Sequence, residues 1–211
     1  LNLKCMESYK SSDFKNQALA ALSGNWKPSV AVSLVALFIV CVIAAFAKSY
    51  SFIYLILYFG VAVPVMIGLL YSFYDLFRDR KIPEVSDLIL TFQQFKRMFV
   101  CYILVYVYTF LWTLLLIVPG IIKGLSYSMT FYILRDRPEL TPSQAIDESM
   151  RMMEGHKADL FILMLSFIGW AILATITVIG LIWFIPYVYT ASAAFYERLK
   201  ADKGTIIPVA E

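Results

Sequence analysis

Few side chains in this sequence have both the type and the spacing to do chemistry. His156 is the only histidine, and no second His or Cys stands at ligand spacing from it. A zinc site or a Ser-His-Asp relay would need such partners. Cys5, Cys41 and Cys101 are too far apart for a metal motif, and Cys41 and Cys101 lie inside apolar runs, where small buried thiols are expected. No Walker loop, HExxH or dinucleotide fingerprint occurs. The expectation is therefore no catalytic residue, no cofactor and no metal. The polar candidates that remain are Asp75, Arg78, Arg135, Asp136 and Tyr187. An ionisable group inside a membrane span signals an ion or proton path. Asp75 sits about one turn inside the end of an apolar run, so pairing with Arg78 at i+3 is the expected structural role. Tyr54, Tyr58, Tyr102, Tyr106, Tyr108, Tyr187 and Tyr189 are candidates to line a cavity, with interface belts and helix contacts as the simpler reading.

The elements that must position these groups follow from composition. The chain has 211 residues, is 61% hydrophobic and 16% charged, and has a mean hydropathy of +0.74. A soluble domain is nearer half apolar and a quarter charged. Residues 28–47, 49–74, 98–122 and 160–196 carry no charge. A spanning helix needs about 20 apolar residues. The fold class expected is all-α: a polytopic membrane protein of about six transmembrane helices, arranged as three hairpins with short cytoplasmic amphipathic helices. The formal charge of +3 is too small to argue for nucleic acid. The first apolar run begins at Pro28 and is too long for a signal-peptide core, so it is expected to stay as a helix, and Met6 suits a natural start.

Local signals set the boundaries. Residues 12–25 read as an amphipathic helix with Phe14, Ala18, Ala21 and Leu22 on one face and Gly24 as its cap. Trp26 and Lys27 mark entry into the first span, about 28–47, and Lys48, Ser49 and Ser51 a polar turn. The return over 52–77 is interrupted by Gly60 and Pro64. It reads either as one kinked helix or as a short piece followed by a helix from about Val61. A second amphipathic segment, 82–97, carries the stripe Val85, Leu88, Ile89, Phe92 and Phe95. Residues 98–134 and 160–196 each suffice for two spans joined by a tight turn, with Pro119 in the first turn of the second span of the first run and the other turn near Gly180, since one helix of that length far exceeds a ~30 Å core. Between them Thr141-Pro142-Ser143-Gln144 fits a capping box that opens a helix with the stripe Ile146, Met150 and Met153, ended by Gly155. These three amphipathic segments either lie in the headgroup layer or pack on the bundle as elbows. Small residues at four-residue spacing, Gly120, Gly124 and Ser128, and likewise Gly68 and Ser72, are expected at close helix contacts.

The chain echoes itself. Gly68–Ser72 resembles Gly124–Ser128, Arg78-Asp79-Arg80 resembles Arg135-Asp136-Arg137, and Ser192–Tyr196 echoes Ser128–Tyr132. The domain reading is a cytoplasmic segment 1–27, one membrane domain 28–200 with pseudo-repeats 28–81, 82–137 and 138–200, and a tail 201–211. Six spans with both termini cytoplasmic leave only Lys48 and Lys123 outside, so 18 − 2 = 16 basic residues lie inside.

Leu165-Ser-Phe-Ile-Gly-Trp170, Pro186-Tyr187 and Ala193-Ala-Phe-Tyr196, with Leu22-Ser-Gly-Asn-Trp26 near the start, carry a family pattern. On these residues nearly the whole chain resembles the domain of unknown function 975 family of bacterial integral membrane proteins. The resemblance implies a bacterial cytoplasmic (inner) membrane protein and carries over no catalytic residues. The organisation is distantly similar to the membrane domain fused to some glycerophosphodiester phosphodiesterases, without their soluble catalytic domain. The function expected is a non-enzymatic membrane module that binds lipid, another membrane protein or a second copy of itself, in envelope maintenance, export or immunity. A small transporter or permease component is the alternative, and a membrane-embedded enzyme the third reading.

Overall fold

A computed structural model describes residues 9–47, 51–177 and 180–204, and every regular element among them is helical. Cys5, Lys48, Ser49 and the tail from residue 205 lie outside the described residues. In chain order the helices are α1 (Ser11–Leu22), α2 (Trp26–Ala45), α3 (Ser51–Leu57), α4 (Val63–Asp79), α5 (Asp87–Gln93), α6 (Phe95–Leu115), α7 (Ile117–Tyr127), α8 (Thr130–Asp136), α9 (Pro142–Met152), α10 (Lys157–Leu165), α11 (Ile168–Thr177) and α12 (Gly180–Gly204).

Among the described residues, five helical stretches are long and apolar enough to cross a membrane: Trp26–Ala45, Ser51–Asp79, Phe95–Leu115, Ile117–Asp136 and Lys157–Thr177. The sequence reading expected about six. Helix α12 is 25 residues long but is not among the five; tyrosines, Ser, Thr and a charged end from Glu197 dilute its apolar half. Each stretch turns a large apolar face outward, and on α6 alone Val107, Phe110, Leu111, Leu114 and Leu115 are exposed. A contiguous apolar surface of that size suits lipid and not water. Cys41 is on such a face, exposed on α2, a correction to its expected burial; Cys101 is buried.

The return stretch Ser51–Asp79 is one continuous helix with a π-helical turn at Tyr58–Ala62. Pro64 follows that turn in the first turn of α4. A proline ring clashes with the carbonyl four residues back in a regular α-helix, here that of Gly60, and a widened turn relieves the clash. The chain next bends at Leu116, whose backbone is extended, and Pro119 falls in the first turn of α7, the position expected of it. Helix α9 opens with the capping box, Thr141 accepting from the Gln144 amide while Gln144 reaches back to Thr141 N–H at 2.9 Å. Thr141→Ala should cost about 1 kcal/mol of stability, measured by unfolding in mixed micelles.

The short helices pack on the bundle, each differently. Helix α1 buries Phe14, Ala18, Ala21 and Leu22, the face its periodicity indicated, and lies against α12. Helix α9 buries Ala145, Ile146, Ser149, Met152 and Met153, so its inward face is rotated from the expected stripe and Met150 is only half-buried at its edge. The reason lies in the break between α7 and α8. Ser149 Oγ accepts from Met129 N–H at 3.2 Å and donates to the Ser126 carbonyl at 2.8 Å, satisfying backbone groups that the break leaves open. Helix α5 departs furthest from expectation. It buries Asp87, Leu88 and Thr91 against α4 and turns Val85, Ile89 and Phe92 outward. Polar anchors decide this: Thr91 Oγ1 donates to the Pro64 carbonyl at 2.8 Å, Ser72 Oγ to Asp87 at 3.2 Å, and Lys81 Nζ to Asp87 at 2.5 Å.

Candidate functional site

Four of the five polar candidates meet in one place, where α4, α8 and α12 approach their C-terminal ends. The expected Asp75–Arg78 pair does not form. Asp75 is instead held by both arms of Arg135, Nη2 at 2.5 Å and Nε at 3.2 Å. Arg78 reaches Asp136 at 2.5 Å. Two carboxylates and two guanidiniums thus pair crosswise between α4 and α8. Planar two-point contacts of this kind fix geometry as well as charge. The short helix–break–helix of α7 and α8 is what presents Arg135 and Asp136 to α4, and Arg97 steadies that presentation from α6. Its guanidinium donates to the carbonyls of Arg137 at 3.1 Å and Leu140 at 2.7 Å, placing a cation where helix carbonyls end.

Asp136 is the hub. Its side chain is 7% exposed, and it accepts from Arg78, from Lys200 Nζ at 2.7 Å, from Tyr196 at 3.3 Å and from Tyr74 at 3.4 Å. Tyr74 also donates to Glu197 at 2.7 Å. Three cations (Arg78, Arg135, Lys200) face the carboxylates of Asp75, Asp136 and Glu197, and the exposed Asp79 adds a fourth carboxylate 3.4 Å from Arg78. Above it the rings of Tyr74, Tyr132 and Tyr196 form a triangle with centroids 5.4–5.7 Å apart, all three buried. Packed rings with hydroxyls directed at a paired carboxylate bury large side chains without orphaning their polar ends.

Sequence reasoning missed Tyr74, Tyr132, Tyr196, Glu197 and Lys200. The signal is the dipeptide Phe-Tyr, which occurs at 73–74, 131–132 and 195–196. Four residues after each tyrosine, one helical turn on, stand Arg78, Asp136 and Lys200, the three members of the central ion triad. Aligning on Gly68–Ser72 and Gly124–Ser128 sets Tyr74 opposite Thr130 and hides this correspondence.

The small residues divide. A Cβ on Gly68 would lie 2.8 Å from Leu88 Cα and 2.9 Å from its carbonyl oxygen, and one on Gly120 would lie 2.7 Å from Thr113 Cα. Backbone approaches that close admit only glycine. Gly124 meets only Thr109 Cγ2 at 3.7 Å, an ordinary contact. Ser72 is buried and donates to Asp87, while Ser128 is half-buried and donates to the Leu125 carbonyl within its own turn.

Tyr187 lies apart, in a groove of about 480 Å³ lined by Leu19, Trp26, Trp170, Leu173, Ala174, Thr177, Gly180, Trp183, Phe184 and Tyr187. Three of the chain's four tryptophans meet here. Helix α1 supplies Leu19, the start of α2 supplies Trp26, and α11 and α12 form the rest. Gly180 sets the spacing, since its own Cβ would come within 2.8 Å of Ala174 Cα and its N–H is taken by Thr177 Oγ1 at 3.2 Å. Tyr58, Tyr102 and Tyr189 border a second cavity of about 350 Å³, where the hydroxyls of Tyr58 and Tyr102 stand 3.4 Å apart.

At the α10 start, His156 Nδ1 faces Asp159 at 3.2 Å and its ring lies 4.6 Å from that of Tyr9. Tyr9 donates to Asp202, and burial first, then that carboxylate, pushes its hydroxyl pKa above the usual range. No group of three His, Cys, Asp or Glu side chains among the described residues is placed to hold a metal.

No curated protein and no solved structure matches the chain. One family model does match, over residues 114–203, a narrower span than the sequence resemblance covered. That stretch includes Tyr132, Arg135, Asp136, Tyr196, Lys200 and the groove from Trp170 to Tyr187, and leaves out Leu22–Trp26. Over residues 114–203 the chain is similar to the family described as Protein of unknown function (DUF975).

Proposed function

We propose that this chain is a non-enzymatic membrane module that holds a lipid acyl chain in the groove between α1, α11 and α12. The observation that carries the reading is the groove itself. Its walls are almost wholly apolar, three tryptophans converge on it, and its volume of about 480 Å³ falls within the range of small-molecule sites. Tryptophan favours the membrane–water interface, where an acyl chain meets its headgroup. The cavities described here have mainly apolar walls, and the cations of the cluster at the ends of α4, α8 and α12 are paired with its own carboxylates. A lipid fits such walls better than a hydrophilic solute does, which favours this reading over a transporter.

In this proposal the membrane is a bacterial cytoplasmic membrane and α12 is the sixth span. Hairpins form from α2 with the Ser51–Asp79 stretch, from α6 with α7–α8, and from α10–α11 with α12. Both termini then face the cytoplasm, with all basic residues but Lys48 and Lys123 on that side. Helices α1, α5 and α9 act as elbows between hairpins, and α5 also presents Ile89 and Phe92 to the bilayer. The ion cluster clasps α4, α8 and α12 at the cytoplasmic end.

Native mass spectrometry of protein purified in mild detergent tests the lipid reading. Wild type should carry bound phospholipid. Leu173→Trp, at a groove position 54% exposed, should fill the space and lower the lipid-bound fraction several-fold without unfolding the helices. An unchanged lipid-bound fraction in that variant overturns the proposal.

A further inference from the structure

Lys15 lies one helical turn from Leu19, a wall of the groove, on the same helix. Its ammonium stands 4.7 Å over the ring of Phe167 and donates to the Ser166 carbonyl at 2.9 Å. Phe167 in turn packs edge-on against two groove residues, Phe184 at 6.1 Å and Tyr187 at 5.2 Å. The cation is therefore one ring removed from the groove. Among the described residues no carboxylate pairs with it, whereas Arg78, Lys81, Arg135, Arg137, Arg151, Arg198 and Lys200 each meet one. A carbonyl and an aromatic face stabilise an ammonium only in part, and neither neutralises it. Half-buried beside an apolar groove, such a charge gains most from an anion that arrives with an apolar tail.

We propose that the lipid held in the groove is an anionic phospholipid, with Lys15 contacting its phosphate-bearing headgroup while the acyl chain lies along Leu19, Trp170 and Tyr187. This rests on the lipid reading above and adds the headgroup class. Burial pulls the Lys15 pKa below its ordinary value, and an adjacent anion would oppose that shift. Lys15 is in this sense a specificity residue, distinct from the apolar walls that set affinity for any acyl chain.

The test is competition between headgroups at constant tails. Protein is exchanged into micelles holding equal amounts of phosphatidylglycerol and phosphatidylcholine with identical acyl chains, and bound lipid is counted by native mass spectrometry. Wild type should favour phosphatidylglycerol by about fivefold, the worth of one basic residue against an anionic lipid surface. Lys15→Met, which keeps the stem and removes the charge, should bring the ratio to about one by lowering the bound phosphatidylglycerol. Lys15→Arg should keep the preference. Leu173→Trp should lower both lipids together. Equal binding of the two lipids by wild type, or an undiminished preference in Lys15→Met, overturns the headgroup assignment and leaves the groove reading standing. Absence of both lipids from wild type overturns the groove reading itself.

Discussion

Asp136→Ala should be among the most destabilising single changes in this protein, at about 2–3 kcal/mol. The carboxylate is 7% exposed and serves Arg78 and Lys200 at once, with Tyr196 and Tyr74 hydroxyls also directed at it. Removing it leaves two like charges facing each other and the buried Tyr196 hydroxyl short of an acceptor, while Tyr74 keeps Glu197. The loss stays below that of a fully buried pair because Arg78 and Lys200 are 41% and 38% exposed and can turn back to water. Lys200→Ala placed on the Asp136→Ala background should recover part of the stability, since it removes one of the stranded cations. Asp79→Ala is the control: its side chain is 58% exposed and it meets Arg78 at 3.4 Å, so its effect should stay within about 0.5 kcal/mol. Unfolding in mixed micelles by graded anionic detergent reads all four proteins. Equal stability of Asp136→Ala and wild type would show that the clasp contributes nothing to the fold.

Gly68→Ala should cost about 1–3 kcal/mol, the usual penalty of overpacking, for the addition of a single methyl. The new Cβ meets Leu88 Cα at 2.8 Å, its carbonyl oxygen at 2.9 Å and the Asp87 carbonyl oxygen at 3.1 Å. These are backbone atoms and cannot swing aside as a side chain would. Helix α5 must lift from α4, which strains the Thr91–Pro64 and Ser72–Asp87 hydrogen bonds as well. Gly120→Ala should behave alike at the α6–α7 neck, where Thr113 Cα is 2.7 Å away. Gly124→Ala, with only a methyl of Thr109 at 3.7 Å, should be neutral within about 0.5 kcal/mol. The same unfolding titration ranks the three. A Gly124→Ala protein less stable than Gly68→Ala would reverse the assignment of which glycines are needed for close approach.

The sequence by itself determined the apolar stretches, five of them among the described residues long enough to cross a membrane, and several local helix signals. Apolar run length sets a span because the bilayer core has one thickness. Thr141 with Gln144, Pro64 and Pro119 act within a turn or two of themselves, so their effects are readable locally. Helix α1 was legible too, because Phe14, Ala18, Ala21 and Leu22 are the apolar face of an otherwise polar segment.

Tertiary structure alone decided which faces meet. In water an apolar stripe marks the inward side. In lipid both sides are apolar, and the buried face is marked instead by small and polar residues, such as Ser29, Ser33, Ser72, Ser126, Thr130 and Thr190. A hydrophobic stripe therefore misplaced α5, whose inward face is fixed by Asp87 and Thr91. The ion pairs show the same limit. Asp75 and Arg78 are close in sequence, but each finds its partner on α8, at Arg135 and Asp136, because that helix ends against the C-terminal turn of α4. The groove beside Tyr187 draws its walls from residues 19 to 187. No local pattern joins those positions; the packing of α1 along α12 and the close approach of Gly180 to Ala174 do.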